Sequence, residues 1–166
     1  EESDYVLVDC PPGIDSTVES VMDACDELLI ITMPTQTAGI NAAQIIEKAK
    51  QKRQPILGTI INKVSNDPER ELVKREVEMM TESDTLARIP YDEKMKESLF
   101  HNTPLLVYDP LAKASLEIRG LAADMEGQRF EKPKFAKLKR KLRNLKEVIQ
   151  RSILPLQFFS IKLERK

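Results

Sequence analysis

The amino-acid sequence predicts an α/β protein: a partly complete doubly wound parallel sheet followed by a basic C-terminal helix. Three observations lead there. Four short β-rich runs alternate with stretches of helical period, which is the rhythm of parallel strands joined by helical crossovers. Within those runs VLVD, LLIIT and ILGTII are continuously apolar, as expected of interior strands covered by helices on both faces. Charge is also divided along the chain. Residues 132–166 hold 12 Lys/Arg against 2 acids, and residues 1–131 hold 14 against 25, so an acidic body precedes a tail suited to a polyanion.

Taken in order, residues 5–9 form the first predicted strand and residues 16–25 the helix after it, where Ser16 and Glu19 have the spacing of a capping box. Strand 27–32 is followed by helix 40–53. Strand 56–62 is followed by helix 69–81, with Asp67 as N-cap and Pro68 at the first helical position. Strand 85–89 leads to helix 93–101. A last body helix spans 111–125, its apolar side made by Leu111, Ala114, Ile118, Leu121, Ala122 and Met125, and Gly127 follows its end. The predicted division is an α/β part over residues 1–127 and a basic amphipathic tail over 128–166.

Composition sets outer bounds. A chain of 166 residues that is 41% hydrophobic is long enough for one domain burying roughly 70% of its unfolded surface. No apolar run approaches the roughly 18 residues that span a bilayer, and the first residues lack the basic and apolar regions of a secretion signal. Cys10 and Cys25 lie 15 positions apart, which is neither a redox nor a metal pair, so a reducing cytoplasm is the predicted compartment.

The chemistry-bearing stretch is YVLVDCPPGID, residues 5–15. It places Asp9 at the carboxyl end of an apolar strand, where open α/β sheets hold ligands. Pro11 and Pro12 stiffen the turn that follows, and Gly13 lets a backbone amide approach an anion closely. This is half of a nucleotide site: Asp9 would hold Mg²⁺ through a water, and Gly13 would sense a terminal phosphate. The other half is a G-x-x-x-x-G-K-[ST] loop. None of the five glycines is followed by Lys, so that loop is not among these residues. Cys10 is expected to be a small buried residue beside Asp9, with no histidine near in sequence to activate it. The only histidine, His101, lies at a helix end, and the six Met residues are scattered packing residues.

In order, DYVLVDCPPGID, ACDELLIITMPTQTAGINAAQII, GTIINKV and ARIPYDEKMKESLFHNTPLLVYDP resemble the MinD/ParA group of deviant-Walker P-loop ATPases, most like its MinD branch. The resemblance covers about residues 4–125. It implies the C-terminal half of a P-loop NTPase domain that binds ATP and Mg. Asp9 corresponds to the Walker B aspartate and Gly13 to the switch II glycine. Asn62 corresponds to the residue that reads the adenine edge, a role suited to an amide with both donor and acceptor. Pro90, Tyr91 and Asp92 correspond to the segment that closes over the base, and Thr35, Gln36 and Thr37 to a loop of dimer or partner contacts.

The resemblance further implies an ATP-dependent homodimer, an activating protein partner and a positioning role in cell division or protein localisation. In this group the P-loop, its signature Lys and the switch I Asp precede the Walker B strand, so here they would lie before Glu1. Because phosphoryl transfer depends on those groups, residues 1–166 alone are expected not to hydrolyse ATP. A DNA-partitioning ATPase and a non-catalytic adaptor are the alternative readings.

In the tail, Leu138, Leu142 and Leu145 continue from Phe135 with Val148 or Ile149 and Ser152 or Ile153 as one apolar stripe. Lys137, Lys139, Arg140, Lys141, Arg143, Lys146 and Arg151 surround it. An in-plane helix on an anionic membrane has this composition, and so does a helix packed on protein; DNA is the third reading. The membrane reading places the protein on the inner face of the cell membrane. Pro155 interrupts the pattern before LQFFSIKL.

Overall fold

The structure is a computed structural model that describes residues 5–13, 15–65, 67 and 69–133. Its elements run α1 (Ser16–Ala24), β1 (Leu28–Thr32), α2 (Gln36–Gln51), β2 (Ile56–Val64), α3 (Lys74–Thr81), β3 (Thr85–Pro90), α4 (Glu93–Phe100), α5 (Leu105–Tyr108) and α6 (Lys113–Met125). All belong to one compact unit ending at Phe130, while Glu131–Lys166 form a second. Of that second unit only residues 131–133 are described. The expected amphipathic tail therefore lies, from residue 134 onward, outside the described residues.

The described strands make a three-stranded parallel sheet in the order β1-β2-β3, the α/β architecture expected from the alternating rhythm. Register places Ile30 beside Thr59 and Thr32 beside Ile61. Side chains of this parity meet helices on one face: Ile30 packs with Ala42 and Ile46 of α2, and Ile61 with Val77 of α3. On the other side Ile89 and Met95 close on Leu105, Ala112 and Ala114. Ile46, Ile61 and Val77 are at most 2% exposed, so truncating one forfeits apolar contacts that the packed surroundings cannot restore.

Residues 5–9 correct the sequence reading. They form no strand among the described residues, and Tyr5, Val6, Leu7 and Val8 are 56%, 81%, 85% and 53% exposed. The pattern is that of an interior strand, and an interior parallel strand needs neighbours on both edges and cover on both faces. No described strand lies against this one, and β1 is itself a sheet edge. Ile31 of β1 is likewise 64% exposed although its register partner Ile60 is 3% exposed.

Helix starts differ from the sequence reading where a competing cap wins. Asp15, not Ser16, caps α1, its carboxylate accepting the Thr17 and Val18 N–H groups at 3.0 and 3.2 Å. Glu19 pairs with Lys48 instead of closing a box. The predicted helix 69–81 starts late, at Lys74: Asp67 makes a separate turn, accepting from Glu69 N–H through its side chain and from Arg70 and Glu71 N–H through its carbonyl. Glu71 then ties Ser65, accepting from its N–H at 2.7 Å and its hydroxyl at 2.6 Å. The short helix α5 was not foreseen; four residues are too few to show a period. Gly127 follows α6 as expected, at φ +64°.

Candidate functional site

The sequence-predicted residues divide into two groups. At the carboxyl end of β2, pairing with β3 skips from Ile61 to Val64, whose partner is Pro90. The intervening Asn62 and Lys63 form a bulge, and Lys63 holds a left-handed backbone at φ +58°. A lysine has no intrinsic reason to adopt that conformation, and bulges and strained residues gather where a side chain must be aimed. Here the kink is held locally, because Asn62 Oδ1 accepts the Lys63 N–H at 2.8 Å. The Asn62 side chain is half-buried.

The turn after β3 is fastened to the same place. Tyr91 N–H donates to the Val64 carbonyl at 2.9 Å, so Asn62, Pro90 and Tyr91 stand at the carboxyl ends of adjacent parallel strands. Open α/β sheets offer ligand sites at this end. The Tyr91 ring is 42% exposed; its hydroxyl donates to Glu93 at 2.6 Å, and the Lys96 ammonium lies 5.3 Å from its centroid. Neither Glu93 nor Lys96 was singled out in the sequence, since their place around Tyr91 depends on how α4 leaves the turn.

Asp92 has a role the sequence did not disclose. Its Oδ1 accepts the Lys94 N–H at 3.1 Å and caps α4, while Oδ2 accepts the N–H groups of Lys113 and Ala114 at 2.9 and 3.4 Å. Ala112, at the N-cap position of α6, has no side chain that can cap. One carboxylate thus satisfies orphan donors of two helices. Only the first cap was visible as a local pattern, because Lys113 is 21 positions away.

The second group is Asp9 and Gly13. Both are exposed, and Gly13 has φ +133° with no atom of the described residues within 4 Å of the position a Cβ would take. That open space is what close approach of an anion to the backbone requires. Asp15 is engaged as the α1 cap, which leaves Asp9 as the carboxylate of this turn without that duty. Cys10 is exposed, which corrects the expectation that it is buried. Its thiol is nonetheless held above its ordinary value, first by partial desolvation and then by the Asp15 and Asp9 carboxylates, so it is a poor nucleophile. Thr35 caps α2, its hydroxyl accepting the Ala38 N–H at 3.3 Å; Gln36 and Thr37 are exposed. His101 is a helix-end residue as expected, stacked on Tyr108 at 5.5 Å.

Among the described residues no three His, Cys, Asp or Glu side chains gather as a metal site, and no helix is long and apolar enough to cross a membrane.

Comparison with known proteins gives these features a context. The family model described as ParA, NUBPL iron-transfer P-loop NTPase, matches residues 1–126. An uncharacterized ATP-binding protein of Methanocaldococcus jannaschii is 26% identical over 127 residues, covering 76% of this chain and 48% of that protein. The septum site-determining protein MinD of Bacillus subtilis is 25% identical over 134 residues, covering 77% of this chain and 49% of its own length. The solved structure of MinD from Pyrococcus horikoshii, complexed with Mg-ADP, superposes with a TM-score of 0.68 at 25% identity, over 74% of this chain and 50% of that one. The chain therefore spans about half the length of the relatives it matches. Because the family model matches more than half of the chain, from the first residue to the end of α6, this protein belongs to the ParA family of P-loop NTPases.

Proposed function

We propose that this chain carries the base-binding side of an ATP-dependent positioning switch of the MinD type. The observation that supports the reading is the pairing of Val64 with Pro90 and the Tyr91 N–H bond to the Val64 carbonyl, so that Asn62 and Tyr91 lie at the carboxyl ends of neighbouring strands. An adenine edge presents a donor next to an acceptor, and the Asn62 amide is complementary to it. Tyr91 offers an aromatic face at the same end, and Pro90 stiffens the turn between them.

The residues present fit the two parts of Mg-ATP unequally. For the base they supply Asn62, Pro90 and Tyr91, with Asp92 at the foot of the turn. Toward Mg²⁺ and the terminal phosphate they supply Asp9 and Gly13. Mg²⁺ bound with phosphate needs one or two carboxylates and otherwise keeps waters, so a single Asp9 suits it. The phosphate cradle itself requires a Gly-rich loop and its Lys, which no part of residues 1–166 contains. Bound Mg²⁺ would neutralise charge on the phosphates; the work of these residues is to read the base and sense the phosphate end.

In this reading ATP joins two copies, the basic segment 132–166 holds the dimer on an anionic membrane surface, and a protein partner triggers hydrolysis and release. The family membership and the MinD relatives support it, as does the charge division between body and tail. The test has two arms. ATP turnover by residues 1–166 should stay at background, and turnover that disappears with Asp9→Ala contradicts the division of labour. The chain should float with anionic vesicles and not with neutral ones. Equal binding to both, or binding to neither, removes the membrane arm. A steep fall of DNA affinity with salt would point to the DNA reading instead.

A further inference from the structure

One carboxylate, that of Asp92, hydrogen-bonds both the helix that follows the base turn and the start of α6. Asp92 follows Tyr91 directly, and Tyr91 is tied to Val64 through its N–H at 2.9 Å. The Asp92 carboxylate reaches both the first turn of α4 and the first turn of α6. α6 has no cap of its own at Ala112, and its packing partners Ile89 and Met95 flank the turn on either side. The backbone at Ala112, φ −57° and ψ 150°, is extended. Asp109 ties the approach locally, accepting from the Leu111 and Ala112 N–H groups and the Ser115 hydroxyl, but the N–H groups of Lys113 and Ala114 find their acceptor on Asp92. The start of α6 is thus held both by Asp109 nearby and by Asp92 from a distance.

We propose that Asp92 is a positioning residue, acting as a clamp that makes the base turn and the start of α6 one mechanical unit, so that loosening either end loosens the other. This rests on the reading of Asn62 and Tyr91 as the base site. It assigns Asp92 a different task from contact with the base: both carboxylate oxygens are already accepting from the backbone. Its consequence is reciprocal linkage. A nucleotide that orders Tyr91 favours a capped α6, and anything that strains the start of α6 lowers affinity for the base by the same factor. α6 ends at Met125, a few residues before the basic segment of the sequence, so an event on that segment has a covalent path to the clamp.

A purely structural cap differs from a clamp in one respect. Removing a cap frays the helix it serves, whereas breaking a clamp at one end frees the other. Lys113→Pro makes that distinction. Proline is tolerated at the first position of a helix, the extended Ala112 suits a following proline, and the change deletes the closer of the two N–H groups that Asp92 Oδ2 accepts, leaving only the 3.4 Å contact from Ala114. Amide hydrogen exchange of the 166-residue chain, followed residue by residue by NMR, should show the Tyr91 N–H exchanging about fivefold faster in Lys113→Pro, the scale of one lost cap. Amides in the middle of α6 should keep their rates.

Asp92→Ser provides a second variant, since a hydroxyl can cap α4 but is too short to serve both helices; it should accelerate Tyr91 and Ala114 together. Unchanged exchange at Tyr91 in either variant, with α4 and α6 intact, overturns the clamp. Addition of ADP to the same samples reports separately on the base site. A complete lack of ADP-dependent shifts would count against that site, and the exchange rates would still decide the clamp.

Discussion

The Asp92 carboxylate accepts the Lys113 backbone N–H at 2.9 Å across 21 positions of sequence, while its other oxygen caps α4 at Lys94. Each cap is worth about 1 kcal/mol, so Asp92→Ala should lower stability by about 2 kcal/mol. Asp92→Asn, which keeps an acceptor for one helix, should cost about half as much. Urea unfolding followed by circular dichroism checks both. A loss under about 0.5 kcal/mol for Asp92→Ala would mean that water replaces the carboxylate at both helix ends.

Truncations should separate the two kinds of apolar residue in this chain. Ile46 is 2% exposed, and Ile46→Ala should destabilise by about 2–5 kcal/mol through lost transfer energy and a residual cavity. Leu7 is 85% exposed, so Leu7→Ser should change stability by less than about 0.5 kcal/mol. It should also reduce self-association, because exposed apolar segments and open strand edges recruit other chains. The unfolding midpoint and light scattering read the two effects. A large loss on Leu7→Ser would show that residues 5–9 are packed in solution.

Lys63 holds φ +58° without a glycine's freedom, a conformation that costs a side-chain-bearing residue about 1–2 kcal/mol. Lys63→Gly should relieve part of that cost, raising or preserving stability as measured by urea unfolding, while loosening the aim of Asn62. Lys63→Val should destabilise by at least about 1 kcal/mol, because a β-branched residue is a poorer fit still.

The acid limb of stability should depend in part on Glu97. The Lys94 ammonium, through a hydrogen bond, and then the Tyr108 hydroxyl hold its carboxyl below its ordinary value. A depressed carboxylate contributes its full stabilisation above the unfolded value and loses it as pH falls through the folded one. Glu97→Gln should therefore flatten the decline in unfolding midpoint from about pH 4.3 downward and leave its slope near neutrality unchanged. The effect should be small, because the Glu97 side chain is 43% exposed and water screens the pair.

What was legible in the sequence follows from the range of the forces involved. β1, β2 and β3 were readable because LLIIT, ILGTII and TLARI are short apolar or β-branched runs with helices between them. α6 and its stop at Gly127 followed from periodicity and a C-terminal glycine. Residues 5–9 carry the same signal as the other strands, yet they form no strand among the described residues. A strand pattern states which neighbours a segment needs and does not supply them. The onset of α3 was misplaced because Asp67 and Glu71 spend their side chains on a turn, a competition invisible to a capping rule.

At the candidate site, Asn62 and Tyr91 are singled out by a chain of motifs. The skip from Ile61 to Val64 that joins them has no local signature, since Lys63 is an unusual residue for a left-handed position. The second duty of Asp92 is a contact across 21 positions, beyond the reach of any windowed reading.

Titration of the isotope-labelled chain with ADP and GDP, followed by NMR, shows whether Asn62, Pro90 and Tyr91 form an adenine-reading surface. ADP should move the Asn62 side-chain amide and the Lys63 and Tyr91 backbone signals, GDP should move them far less, and Asn62→Ala should abolish the difference. Equal shifts with both nucleotides, or ADP shifts that leave Asn62 and Tyr91 untouched, would contradict the account.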